Sequence, residues 1–245
     1  MYVNSDSVVY RDHEFPINNN LLSLNNKNIK DIIEIIGLEN KVNLRVLDLS
    51  NNNIAEINGL GKLSNLEVLN LNKNEITEIK GLENLKNLRV LWLKNNKISE
   101  INGLNNLHNL EELWLDKNQI SEIKNLDKLS HLKYLCLCNN SITEITGLQS
   151  LVNLKSLDLI NNEIRNVCNL NNLANLQYLD LSFNRITELR EVENLSTLVY
   201  LNCMNNEIEQ IENFDFLKDI NLISFEGNPI NNSKALKEFK ELLEL

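Results

Sequence analysis

This chain is short of positive charge, long apolar runs and clustered cysteine, and each shortage removes a class of function. Its 24 Lys and Arg stand against 34 Asp and Glu, a formal net charge of -10 over 245 residues. A nucleic-acid surface needs Lys and Arg to neutralise phosphates, and an anionic membrane attracts the same residues, so neither is expected as a partner. No apolar run approaches the roughly 18 residues of a membrane helix. Met1 to Asn20 carries Asp6, Arg11, Asp12, His13 and Glu14 where a signal peptide would have an apolar core. Cys136, Cys138, Cys168 and Cys203 are too scattered for a disulfide framework. An intracellular protein is expected, cytoplasmic with the nucleus as a second compartment. The sequons at Asn139, Asn194 and Asn231 follow from the abundance of Asn alone.

Catalytic signatures are also missing. There is no G-x-x-x-x-G-K-[ST], G-x-G-x-x-G, H-E-x-x-H or G-x-S-x-G. We assign no catalytic residue, no cofactor, no metal and no small-molecule substrate, and we expect a protein that is not an enzyme.

What is present is Leu and Asn, 47 of each, which is far from ordinary composition and points to a repeat. Self-alignment gives a period of 22 residues: L-x-x-L-x-L-x-x-N-x-I-x-x-I-x-G-L-x-x-L-x-N, with Leu44 as position 1. Units begin at Leu44, Leu66, Leu88, Leu110, Leu132, Leu154, Leu176 and Leu198, without insertion or deletion through residue 219. A ninth starts at Ile220 and breaks off after Ile230. A degenerate one precedes Leu44, with Lys27 in the Asn position and about three extra residues before Gly37.

Positions 4 and 6 are apolar between polar or variable residues, as in Leu47-Asp48-Leu49, which is the period of a half-buried strand. Identical register in every unit stacks these strands in parallel, about 4.8 Å apart. Asn at position 9 (Asn52, Asn74, Asn96 and onward) follows the strand, where its amide can satisfy buried turn backbone. The back half, apolar at positions 14, 17 and 20, is too short for a full returning α-helix, so short 3₁₀ or irregular turns are expected. Such units are stable only when stacked, and the ends need caps.

The motif L-x-x-L-x-L-x-x-N over eight consecutive units resembles the leucine-rich repeat, from about residue 20 to 230. The 22-residue length and stretches such as EIKGLENLKNLRVLWLKNNKI resemble the class typified by the regulatory subunit of type-1 protein phosphatase. Bacterial internalins share the length but usually place Pro in the back half, where this chain reads NGL, KGL or TGL. The resemblance implies an α/β solenoid: a horseshoe with a concave parallel sheet and short 3₁₀ or irregular convex segments. Its expected divisions are a cap with the degenerate repeat (1–43), eight repeats (44–219), and a partial repeat with a C-terminal capping helix (220–245). That helix would start from Asn231-Asn232-Ser233 and align Ala235, Leu236, Phe239, Leu242 and Leu243 on one face.

Candidate binding residues lie at positions 3 and 5, which face outward on the concave sheet. Position 5 holds both tryptophans, Trp92 and Trp114, on adjacent strands, with Asp158 and Asp180 further along. Position 3 holds Glu112, Tyr134, Tyr178 and Tyr200. Exposed aromatic clusters mark interfaces, and Trp and Tyr dominate interface energetics. The expected surface is an aromatic centre (Trp92, Trp114, Tyr134) beside an acidic sector (Glu112, Asp116, Asp158, Asp180), with Tyr178 and Tyr200 beyond. It suits a protein partner with a basic, partly apolar face. The alternative is that the rings stack on each other over the neighbouring valines. The resemblance implies the type-1 phosphatase catalytic subunit as partner, since that family holds it with aromatic and acidic residues on this face. Asn70, Cys136 and Asn202 depart from that pattern. Other readings are an internalin-like secreted recognition module and an architectural subunit of a cytoskeletal or ciliary complex.

Three further groups are read as structural. Cys136 and Cys138 share a strand face, and Asp116 and Asp158 on neighbouring strands could complete a thiolate–carboxylate site. No His joins them and zinc takes four ligands, so they are read as free surface thiols. His108 and His131 fall in the polar turn leading into the next strand, and His13 has no evident partner. Glu56, Glu78, Glu100, Glu122, Glu144 and Glu188 form a solvated column at position 13, partly compensated by Lys80, Lys124 and Arg190.

Overall fold

The computed structural model describes residues 6–211, 217 and 220–231, and the period becomes a spatial repeat. An antiparallel hairpin, β1 (Ser7–Tyr10) and β2 (His13–Pro16), comes first. Ten three-residue strands then form one parallel sheet in strict chain order. They are β3 (Leu21–Ser23), β4 (Val46–Asp48), β5 (Val68–Asn70), β6 (Val90–Trp92), β7 (Glu112–Trp114), β8 (Tyr134–Cys136), β9 (Ser156–Asp158), β10 (Tyr178–Asp180), β11 (Tyr200–Asn202) and β12 (Leu222–Ser224). The degenerate first unit contributes β3, whose Leu22 pairs with Leu47.

Register is uniform, so Leu69, Leu91 and Leu113 of consecutive strands stand side by side and are fully buried. A one-residue slip would turn this column to solvent, which fixes the pairing. The apolar positions of the back half join the same core, as do Cys203 in place of a strand Leu and Val167 in place of Ile. At the N-terminal end the hairpin closes the stack: Val8 and Tyr10 are buried, and Val9 and Ile36 exchange backbone bonds of 3.0 and 2.8 Å.

The convex leg carries no α-helix among the described residues. It is a chain of i→i+3 turns: Leu63 N–H donates to Leu60 O (2.9 Å) and Leu66 N–H to Leu63 O (3.0 Å), and the pattern recurs in later units. Short 3₁₀ segments occur at Ile32–Glu34, Leu38–Asn40 and Val192–Asn194. Position 16 takes a left-handed backbone in each described repeat, and where it is Gly81, Gly103 or Gly147 the chain also packs too closely for a Cβ. At Gly103 (φ +66°) a Cβ would lie 2.1 Å from Ile79 O. Where Asn125 takes that position its amide donates to the equivalent carbonyl, Ile101 O, at 2.8 Å. The expected C-terminal helix lies outside the described residues.

The Asn of position 9 joins the repeats. Asn96 Nδ2 donates to Leu93 O of its own unit (2.9 Å) and to Leu71 O of the preceding one (3.0 Å). Its Oδ1 accepts from Ile76 N–H, again of the preceding unit, at 3.0 Å. The same bonds recur from Asn52 to Asn228. A second ladder runs along position 22, where Asn87 Nδ2 donates to Ser64 O at 2.9 Å. His131 replaces Asn there and contacts His108 O through Nδ1 at 2.9 Å, so Nδ1 carries the proton. His108 and His131 are turn residues, as their position implied, while His13 lies in β2.

Asn96→Ala would strand the buried Ile76 N–H, at about 1–3 kcal/mol, and remove one of two bonds at each of Leu71 O and Leu93 O, which keep Asn74 and Asn118, at about 0.5–1.5 kcal/mol apiece. We expect a loss of about 3 kcal/mol, read as a lower urea midpoint at unchanged slope. A loss below about 0.5 kcal/mol, the size of an ordinary surface change, would contradict the ladder's role.

Candidate functional site

Each concave side chain is positioned by a three-residue strand whose central Leu is anchored in the core, so positions 3 and 5 are carried on a rigid frame. Trp92 and Trp114 are in register on β6 and β7, and Glu112 lies beside Tyr134 across β7 and β8. Trp114 and Tyr134 are 38% and 41% exposed, while Trp92 and Glu112 are half-buried. Trp114 Nε1 donates to Glu112 Oε2 at 3.2 Å, which fixes the indole edge and leaves ring surface outward. Among the described residues the stacked ring pair is not the tryptophans but Tyr178 and Tyr200, with centroids 4.1 Å apart and planes within 8°.

The acidic sector differs from expectation. Asp116 and Asp180 are 4% and 2% exposed, buried under their neighbours. Asp116 pairs with Lys94 Nζ at 2.8 Å, and that bond raises the lysine's affinity for its proton. Asp180 organises a cluster. Its Oδ2 accepts from Tyr200 Oη (3.2 Å), Asn202 Nδ2 (3.0 Å) and Tyr178 Oη (3.4 Å), and its Oδ1 from Ser182 Oγ (2.6 Å). Burial pushes both tyrosines up, with the Asp180 charge adding to it. Asp158 is half-buried, and desolvation raises its carboxyl.

A common role explains these aspartates. Asp48, Asn70, Asp158, Asp180 and Asn202 each accept from the backbone N–H two residues on, at 2.9 to 3.1 Å. Position 5 therefore ordinarily caps the turn after the strand, and Asp and Asn are interchangeable there because each offers an oxygen at the same place. An indole has no acceptor. Trp92 and Trp114 give up the cap for ring surface, which marks them as departures from the structural default. Alternation of Asp with Asn in one column was the signal for this role.

The thiols also differ from expectation. Cys136 and Cys138 are 6% and 8% exposed, not surface thiols, with sulfurs 2.9 Å apart and Asp158 Oδ2 3.9 Å from Cys136. Contact with Cys136, ahead of burial, pushes the Cys138 thiol well up. On the opposite surface Lys80 pairs with Glu56 and Glu78, Lys124 with Glu100 and Glu122, and Arg190 with Glu188. All are well exposed, so their contribution is small.

Phe183 was not singled out by sequence. It follows β10 at position 8, which takes a left-handed backbone in every unit: Asn51, Lys73, Asn95, Lys117, Asn139, Asn161, Phe183 and Asn205, then Gly227. Phe183 holds φ +56° while 49% exposed. A bulky residue is strained there, and no burial compensates, so the ring is a further candidate contact. Replacing Phe183 by Asn should stabilise the fold by about 1 kcal/mol, the scale of the left-handed penalty, in urea unfolding. A loss of stability would show instead that the ring packs.

A profile of paired leucine-rich repeats matches residues 42–84, 86–128, 130–172 and 174–219. Among solved structures, a leucine-rich-repeat protein of Leptospira interrogans is similar with a TM-score of 0.81 at 31% identity, covering 91% of this chain and 58% of that one. An internalin of Listeria monocytogenes gives 0.59 at 28% identity, covering 92% and 78%. The ectodomain of an Arabidopsis thaliana membrane receptor kinase, in complex with Casparian strip integrity factor 2, gives 0.65 at 31% identity, covering 79% and 26%. This chain thus spans little more than half of the Leptospira protein and a quarter of the plant receptor. No curated protein matches.

Proposed function

We propose, for a chain that belongs to the leucine-rich-repeat family, a non-catalytic scaffold that holds a globular protein on its concave face. The observation that carries this is the Trp92–Trp114 pair, which breaks a column otherwise built for turn capping and places ring surface beside the exposed Tyr134. Glu112 and Asp158 supply negative charge at its margin, with Tyr178 and Tyr200 further along. Asp116 and Asp180 act from beneath by fixing their neighbours. The partner would carry a basic, partly apolar patch.

The candidate partner is the type-1 phosphatase catalytic subunit, supported by the 22-residue repeat class and by the aromatic and acidic side chains of this face. In that role the protein works inside the cell, in the cytoplasm or nucleus, as a phosphatase regulator. A second reading is favoured by the likeness to an internalin at 28% identity over 92% of the chain. There the same face would serve an internalin-like secreted recognition module.

Affinity capture with mass-spectrometric readout, wild type beside a folded Trp92→Ala/Trp114→Ala variant, separates these. Interface hot spots cost about 2 kcal/mol or more, so the variant should bind at least about 30-fold more weakly. Phosphatase subunit retained by wild type and lost by the variant supports both face and partner. A different protein lost by the variant keeps the face and discards the phosphatase. Equal capture by both overturns the face.

A further inference from the structure

We infer that Cys136, Cys138 and Asp158 form a binding site for a zinc-class divalent cation on the concave face. Cys136 closes β8, and Cys138 follows it by two residues on the same side. Asp158 closes β9 in direct register with Cys136. One ligand atom from each residue lies within 4.8 Å of the others. Tetrahedral zinc, with bonds of about 2.3 Å to sulfur and 2.0–2.2 Å to oxygen, sets its ligand atoms roughly 3.5–3.8 Å apart. The Cys136–Asp158 separation of 3.9 Å lies just outside that range. The two sulfurs, at 2.9 Å in a thiol–thiol hydrogen bond, open by about 1 Å through side-chain rotation when a cation replaces the two thiol protons.

Asp116 supplies an independent observation. It occupies, one repeat earlier, the same position as Cys138. One oxygen is held by Lys94 at 2.8 Å, and the other is buried with no hydrogen-bond partner. An orphaned buried carboxylate oxygen is costly, and a cation on the next strand relieves part of that cost through space. Solvent completes the fourth position. Two thiolates select a zinc-class ion over calcium or magnesium, which prefer all-oxygen shells. Binding displaces both thiol protons to solvent, leaving two thiolates and the Asp158 carboxylate facing the cation with one negative charge in excess. This departs from the sequence-based assignment of no metal, because burial and proximity turn two independent thiols into one chelating pair.

The test uses the full chain, reduced and stripped with chelator, titrated with Co²⁺ and then with Zn²⁺. Expected are one equivalent of cobalt with sulfur-to-metal charge-transfer absorption, displacement by zinc, loss of that absorption in Cys136→Ser and Cys138→Ser, and no change in Cys168→Ser. Asp158→Asn should weaken binding by at least about tenfold, the low end of what even an outer-shell group contributes. Circular dichroism checks that each variant folds. X-ray absorption of the wild-type zinc complex needs no variant and should resolve two sulfur ligands at about 2.3 Å. Absence of charge-transfer absorption, its survival in both serine variants, or a zinc shell without sulfur would overturn the site.

Discussion

The hydrogen bonds of one buried asparagine per repeat hold this structure together. A turn must follow each short strand, and it leaves backbone groups that neither sheet nor water can reach. The position-9 amide satisfies them, and in doing so bonds two carbonyls and one N–H drawn from two successive units. No repeat is complete without its neighbour, so the solenoid is a nearest-neighbour array in which the cost of ordering each unit is met at its junctions. The N-terminal hairpin follows from the same need, since the first unit has no predecessor and β1 and β2 cover its open end.

Function grows out of that register. Because every strand is fixed relative to the next, side chains at one repeat position form straight columns, and each column has a structural default that departures expose. At position 5 the default is an Asp or Asn that caps the following turn. Trp92, Trp114 and Cys136 abandon it on three consecutive strands, β6 to β8. The aromatic surface and the dithiol are therefore neighbours, carried on the same rigid stretch of sheet and built from residues that the fold itself did not require.

Much of this was legible in the sequence. An unbroken 22-residue period fixed strand positions, register, the Asn ladder and the turn histidines, because a regular repeat turns spacing into geometry. The burial of individual concave side chains was not legible. Asp116 and Asp180 read as a charged sector, but their environment depends on Lys94 in one case and on two tyrosines, Ser182 and Asn202 in the other. The thiols read as surface groups for the same reason, since alternation tells which face a residue occupies and not how deeply its neighbours cover it. The left-handed position 8, and with it Phe183, was hidden because Asn, Lys, Phe and Gly share a backbone angle there rather than a chemistry.

Native-state hydrogen exchange at the Ile N–H groups that donate to the asparagines shows whether the ladder joins the repeats. Ile54, Ile76, Ile98, Ile142, Ile164 and Ile186 each donate across a repeat junction. If the ladder unites the array, these amides exchange together, through opening events that involve several adjacent repeats. Independent exchange of each Ile, with the rest of the array still protected, would mean that the repeats stand alone and that the asparagines are not what joins them.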